Sequence, residues 1–338
     1  MGEPENHSQL NKIPHHNLWV AVFIAVILSG IGLFYLATQK VEYIWSWYRV
    51  PQYFAAKEDI RVIAEFDGRI DSIEVKGETA VVILKGTGGI QEITAPKNGV
   101  TVKEGESVDE ADEIASFKGD NWEAGPLILG LWITIKVSLI ATIFGILIGI
   151  IGGVCRISSN PALKWLTIVY IELIRGSPLL VQIIIWYYVL GTVINGLLAA
   201  YDIGRLDRYW YGVACLACFA GAYVTEIVRA GIQSIHRGQI EAARSVGMTY
   251  LQSMWHIILP QALKRILPPL AGQFISLIKD SSLLGIMAMS ELTKATREAV
   301  AASLMPFELY FMCAILYLII TFSLSMFVQY LEKRMATT

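Results

Sequence analysis

Leu18–Ala37 is a run of twenty residues without a single charged side chain. At a helical rise of 1.5 Å per residue it extends about 30 Å, the thickness of one hydrocarbon core. No small-residue cleavage site follows, and Gln39-Lys40-Val41-Glu42 reads as a plain polar exit, so the run is expected to be a retained span and not a signal peptide. Five further apolar runs follow: Leu127–Val154, interrupted only by Lys136, then Leu163–Ala200, Tyr211–Ile235, Ile266–Met289 and Tyr310–Leu331. The chain is 54% hydrophobic and only 17% charged, where soluble domains run near a quarter charged. A polytopic α-helical membrane protein is the expected class. The net charge of −2 gives no footing for nucleic-acid binding.

Two runs need interpretation. The Lys136 amine is expected to snorkel outward, with the bilayer core beginning after it. Leu163–Ala200 is too long for one crossing and carries Glu172, Arg175 and the breaker Gly176-Ser177-Pro178. It divides there into an interfacial segment, Leu163–Ile174, and a main span, Pro178–Leu197. Six crossings result, one N-terminal and five in a C-terminal bundle. Ile235–Arg265 carries Arg237, Arg244, Lys264 and Arg265 against Glu241 alone, and the tail carries Lys333 and Arg334 against Glu332. Cytoplasmic loops hold the Lys/Arg excess, so both termini and this loop are expected inside and residues 41–122 outside. The expected organisation is a cytoplasmic tail (1–17), an N-terminal transmembrane helix (18–40), an external β-rich insert (41–122) and a transmembrane domain (123–338) with a cytoplasmic loop at 236–260.

The external insert alternates short apolar stretches with turn residues. Ile70–Val75 and Ala80–Leu84 read as strands, Gly86–Gly89 as a connection, and Asn98-Gly99 as a hairpin turn. Ala64–Ile70 and Ala95–Val100 align as two halves. Ile93–Pro96 through Gly105–Val108 resembles a half-repeat of the biotinyl/lipoyl-carrier hammerhead fold. Lys85, in Leu84-Lys85-Gly86, lacks the flanking acid and Met or Ala of a carrier lysine, so the expected role is structural or docking.

The most specific pattern lies in the cytoplasmic loop. Gly238-Gln239-Ile240-Glu241-Ala242-Ala243 is followed after three residues by Gly247, and after nine more by Ile257-Ile258-Leu259-Pro260. Gln239–Val246 is expected to be a short helix with Glu241 near its positive end and Gly247 as left-handed C-cap. Ala242 and Ala243 would let a partner approach closely. Thr249 and Gln252 form a capping-box pattern for a second helix, with Leu251, Met254, Trp255 and Ile258 at helical spacing and Pro260 as its stop. The spacing resembles the EAA motif of ATP-binding-cassette importer permeases, and every fixed position is filled. The resemblance implies a five-helix permease core whose loop seats in a cleft of a partner ATPase through Gly238, Gln239, Glu241, Ala242, Ala243, Gly247, Ile257, Leu259 and Pro260.

Three phrases narrow the branch. Glu172–Gln182, Gly221–Ile232 and Leu277–Leu283 resemble stretches of the histidine/glutamine/arginine-type permeases for polar amino acids. Ser177 and Ser281 stand where Thr is usual, and Ala271-Gly272 replaces a position often held by Asn. Ionisable groups inside a span are functional candidates. Gln182, Tyr223, Glu226, Lys279, Asp280 and Ser282 are therefore candidate path residues, with Glu226 suited to an α-ammonium. The competing possibility is that Glu226–Arg229 and Glu172–Arg175 are pairs that hold the bundle in shape.

No Gly-x-x-x-x-Gly-Lys-Ser/Thr phosphate loop occurs in the sequence. The resemblance implies that the chain is not itself an enzyme and holds no cofactor, with ATP and Mg on a pair of partner ATPases. It also implies a second permease subunit, an extracytoplasmic amino-acid-binding protein, and residence in the bacterial inner membrane. The rival is a self-contained secondary amino-acid transporter, for which repeated halves would be expected. Such a transporter gives no reason for the loop. Cys155, Cys215, Cys218 and Cys313 are expected to be buried thiols. An intramembrane enzyme is disfavoured because none of the five histidines falls in an expected span.

Overall fold

A computed structural model describes residues 16–336. The expected tail, apart from its last two residues, lies outside them. The described residues form two compact units that divide after Trp47. The first is dominated by α1 (His16–Lys40), whose apolar window has no residue buried inside the protein.

The second unit opens with a β-module. Strands β1 (Ala55–Ile63), β2 (Gly68–Lys76), β3 (Thr79–Gly86), β4 (Gly89–Pro96), β5 (Ser107–Val108) and β6 (Glu113–Ala124) make two antiparallel sheets, ordered β4-β3-β2-β5 and β1-β6. The period-2 alternation of β3 drives it: Ala80, Val82 and Leu84 are buried while their neighbours are less so. Val82 and Leu84 meet Ala64, Ile70, Ile93, Val108 and Ile114 in one core. Both expected strands are present. Asn98-Gly99 is not a hairpin turn: it lies in a 3-10 turn, Lys97–Gly99, and β5 pairs with β2. A Cβ on Gly99 would stand 2.8 Å from the Ser116 carbonyl oxygen, so this glycine serves close approach. Lys85 lies in β3, ion-paired with Asp71 at 2.8 Å. Pairing of β1 with β6 returns the chain to its entry point, where the Gly125 N–H donates to the Phe54 carbonyl at 2.8 Å.

The helices are α2 (Pro126–Ile157), α3 (Pro161–Arg175), α4 (Leu179–Ile184), α5 (Gly191–Ala200), α6 (Arg208–Gln233), α7 (Arg237–Ser245), α8 (Tyr250–Ser253), α9 (Leu259–Asp280), α10 (Leu292–Ser303) and α11 (Pro306–Ala336). The break expected at Gly176-Ser177-Pro178 separates α3 from α4, and a π-helical stretch, Ile185–Leu190, joins α4 to α5 as one rod. Among the described residues, five helices are long and apolar enough to cross a membrane: Asn17–Lys40, Pro126–Ile157, Leu179–Ala200, Arg208–Gln233 and Pro306–Arg334. The remaining expected run, Ile266–Met289, is divided between α9 and a 3-10 segment, Ser281–Met287.

The spine of the bundle is the α2–α6 pair. Gly145, Gly149 and Gly153 recur every fourth residue of α2 and lie against Ala220, Val224 and Val228 of α6. A Cβ on Gly145 would come within 2.8 Å of the Ala220 Cβ, and one on Gly149 would overlap Val224. Backbones therefore approach at van der Waals distance, the packing that holds helices where lipid supplies no hydrophobic drive. Val50 and Leu127 at the foot of the β-module pack with Leu292 and Leu309 at one end of this pair. Ile235 and Ile258 pack with Val224 and Val228 at the other end.

Candidate functional site

The cytoplasm-assigned loop begins where α6 ends. The His236 ring nitrogen Nδ1 accepts the Gly238 N–H at 3.1 Å and caps α7. Gly247 adopts φ +81°, and its N–H donates to the Arg244 carbonyl at 2.9 Å. The Met248 N–H reaches the Ala243 carbonyl at 3.0 Å, completing a Schellman closure. Thr249 and Gln252 form the expected capping box, with Thr249 N–H to Gln252 Oε1 at 2.9 Å and Gln252 N–H to Thr249 Oγ1 at 3.3 Å. The loop is thus closed at three joints by bonds between neighbours in sequence.

Its two faces differ. Ala243 is buried, and Ile240, Met254 and Ile258 pack with Ile235, Ala262 and Ile266. Gln239, Glu241 and Ala242 are exposed, and with them Val246, Leu251 and Trp255 at 75%, 68% and 65% exposure. Only Ala242 of the two alanines is therefore open to a partner, because successive helical residues point about 100° apart. Two other expectations are corrected. Helix α7 begins at Arg237, so Glu241 stands beyond its first turn. Pro260 does not stop the second helix: α8 runs through a π-helical stretch, Met254–Ile258, straight into α9. The Leu259 N–H bonds back five residues to the Met254 carbonyl, and a proline, having no N–H, is tolerated next to that slipped register. Gln261 Nε2 ties this joint to α7, donating to the Ile257 carbonyl at 2.9 Å and to Gln239 Oε1 at 3.3 Å.

The candidate path residues fall in different places. Tyr223 and Glu226 line a cleft of about 500 Å³ with Arg175, Arg229 and Arg265. Glu226 Oε2 accepts from Arg229 Nε at 2.9 Å and Nη2 at 2.7 Å, and its Oε1 faces Arg156 Nε at 3.7 Å. The expected Glu226–Arg229 pair is present, and the carboxylate is committed to two guanidinium groups instead of standing free. Arg175 lies 5.0 Å from the Tyr223 ring centroid, a cation–π contact. No ion pair between Glu172 and Arg175 occurs among the described residues. Lys279 and Ser282 line a second cleft of about 270 Å³ with Thr293, Tyr310 and Tyr317. Asp280 lines neither. Gln182 is buried, and its Nε2 donates to the Ile174 carbonyl at 2.7 Å and to Ser177 O and Oγ at 3.0 Å, clamping the α3–α4 break.

Sequence reasoning missed Arg156 as a partner of Glu226, since nothing local relates residues seventy positions apart. It also missed Glu291, which is 1% exposed and accepts the Thr293 and Lys294 N–H groups at 2.7 and 2.8 Å and the Tyr317 hydroxyl at 3.2 Å. Burial pushes its carboxyl above the ordinary range. An acid placed just ahead of a helical segment was the available signal.

Residues 145–337 match the model of the binding-protein-dependent transport system inner membrane component family. A probable glutamine ABC transporter permease protein of Bacillus subtilis is 41% identical over 206 residues, covering 61% of this chain and 91% of the relative. A glutamine transport system permease protein of Escherichia coli is 35% identical over 215 residues, covering 63% and 95%. The crystal structure of an amino acid ABC transporter with histidines superimposes with a TM-score of 0.55 at 36% identity, covering 62% of this chain and 94% of that one. With a family match over more than half its length and a loop built as the motif requires, this chain belongs to the binding-protein-dependent transport system inner membrane components.

Proposed function

We propose that the chain is the permease subunit of an ATP-driven importer for a polar amino acid. The carrying observation is the loop at 236–260: it is closed by its own caps, and it turns Glu241, Ala242, Val246, Leu251 and Trp255 outward. A surface that a protein both rigidifies and leaves apolar is suited to a partner. Relatives named for glutamine, cystine and arginine transport support a polar amino acid as cargo. The family match favours this function over a self-contained secondary transporter.

In this scheme the chain crosses the inner membrane six times, α9 with its 3-10 extension supplying the sixth crossing despite its charges. Both termini and the α7–α8 loop lie in the cytoplasm, and the β-module lies outside. A paired ATPase supplies ATP hydrolysis and holds the ATP and Mg, so this chain is not the enzyme. A second permease subunit completes the central path, and an external binding protein delivers the cargo. ATPase closure moves the loop, α9 transmits the movement, and the bundles rock to alternate access. Glu226, held between Arg156 and Arg229, fixes the inner end of α2 to α6. The neighbouring Arg175 and Arg265 leave that cleft with a cationic balance that suits the α-carboxylate of the cargo better than its ammonium.

The test is reconstitution of the chain with its ATPase and binding protein in liposomes, followed by uptake of a panel of labelled amino acids. Uptake that needs ATP and the binding protein supports the proposal. Uptake driven by an ion gradient without the ATPase would overturn it.

A further inference from the structure

The end of the bundle that bears the β-module contains a cleft of about 600 Å³ lined by Trp132, Lys136, Asp207, Arg208, Tyr209 and Lys294. Lys136 Nζ lies 5.2 Å from the Tyr209 ring centroid, and Arg208 Nη1 donates to the Ala288 carbonyl at 3.5 Å. Among the described residues neither cation is within 4.0 Å of a carboxylate. Lys294 is shared between the Ala288 carbonyl and Glu298, each at 3.0 Å. The Asp207 carboxylate is taken up as the N-cap of α6, accepting the Tyr209 N–H at 2.7 Å. With Lys294 paired to Glu298, Lys136 and Arg208 stand against the single Asp207 carboxylate, and the cleft keeps a net positive charge.

Its depth is readable from α2. Nineteen uncharged residues separate Lys136 from Arg156, which places the two charges about 30 Å apart, one hydrocarbon thickness. Lys136 thus stands at a membrane–water boundary. It also stands on a particular face: Trp132, Leu139, Ile143 and Leu147 follow the same helical stripe, at 63%, 48%, 51% and 52% exposure. A tryptophan one turn above an interfacial lysine, at the head of an open apolar stripe, is the arrangement of a lipid-facing boundary.

We propose that this cleft binds the phosphate of an anionic phospholipid, with Lys136 and Arg208 on the headgroup and the acyl chains along the α2 stripe. A soluble phosphate or carboxylate shares the headgroup chemistry but makes no use of the stripe, and for that reason the lipid is the chosen source. The inference rests on α2 crossing the bilayer as proposed above. If α2 does not cross, cysteines introduced at Glu123 and Ser159, beyond its two ends, are labelled by a membrane-impermeant maleimide from the same side of phosphatidylcholine vesicles. Failure of the lipid site alone leaves the two positions on opposite sides.

The experiment is native mass spectrometry of the full chain released from micelles containing equimolar phosphatidylglycerol and phosphatidylcholine. Phosphatidylglycerol should be retained about thirty-fold over phosphatidylcholine, the factor expected for two cations at about 1 kcal/mol each near an anionic headgroup. Lys136→Gln combined with Arg208→Gln should bring the ratio near one, while Lys136→Arg keeps the preference and controls for folding. An unchanged ratio in the double variant would overturn the site. So would loss of the phosphatidylglycerol adduct on adding millimolar inorganic phosphate, since that outcome identifies a soluble-anion site.

Discussion

The α2–α6 pair and the α7–α8 loop are joined end to end through α6, yet they are stabilised in opposite ways. The pair has few hydrogen bonds between its helices and is held by shape: Gly145, Gly149 and Gly153 let Ala220, Val224 and Val228 close upon them. The loop packs one face through Ile240, Met254 and Ile258, while its joints are held by caps at His236, Gly247 and Thr249. Inside a membrane, burial gains nothing from leaving lipid, so close contact must carry the association. In water, capping can fix a short helix while its apolar residues stay outward. In the proposed scheme a rigid rod and a capped, open loop together would act as a lever.

Substitutions should separate the two halves of that comparison. The largest effect is expected for Gly149→Leu, which drives a branched side chain into Val224. Overpacking ordinarily costs about 1–3 kcal/mol, and a seam with backbone on both sides relaxes poorly. Little monodisperse protein should survive detergent extraction and size-exclusion chromatography, and a normal elution profile would break the claim that shape holds the pair. Next comes Glu241→Lys, on the exposed face of α7. Extraction and thermal stability should stay as in the parent, while ATP-dependent uptake falls more than about ten-fold, in the range of an interface hot spot.

The adjacent alanines sharpen the contrast within one helix. Ala243→Leu should lower stability by about 1–3 kcal/mol, because that position is buried against the chain. Ala242→Leu should spare stability and weaken co-purification of the ATPase. Equal behaviour of the two would mean that the faces of α7 have been assigned wrongly. The smallest effect belongs to Thr249→Ala, which removes one half of the capping box. It should cost about 1 kcal/mol, detectable as faster hydrogen exchange confined to residues 249–256.

Glu226 sits between these regimes, joining the last turn of α2 to α6 by an ion pair whose side chains are 22–30% exposed. Charge-assisted bonds of that kind are worth about 1–2 kcal/mol once solvent screening is allowed for. The pair also shows where sequence is blind. Glu226 and Arg229 are three apart and legible as neighbours on one helix, but Arg156 enters from another element. The Gly-x-x-x-Gly-x-x-x-Gly spacing of α2 was present in the sequence as a packing signal, and it names no partner.

What the sequence determined by itself was a set of features governed by interactions within a few residues: the apolar runs, the break at Gly176-Ser177-Pro178, the left-handed Gly247 and the Thr249–Gln252 box. Each depends on φ, ψ and side-chain reach over a single turn, so it is the same in any tertiary setting. Tertiary structure alone decided which of Ala242 and Ala243 faces outward, that Pro260 is passed through a π-helical register, and that Gly99 serves close approach instead of a hairpin. It also separated Tyr223 and Glu226 from Lys279 and Ser282 into two clefts. Those outcomes depend on which surface another element covers, and helical or strand periodicity fixes the faces of an element without fixing their neighbours.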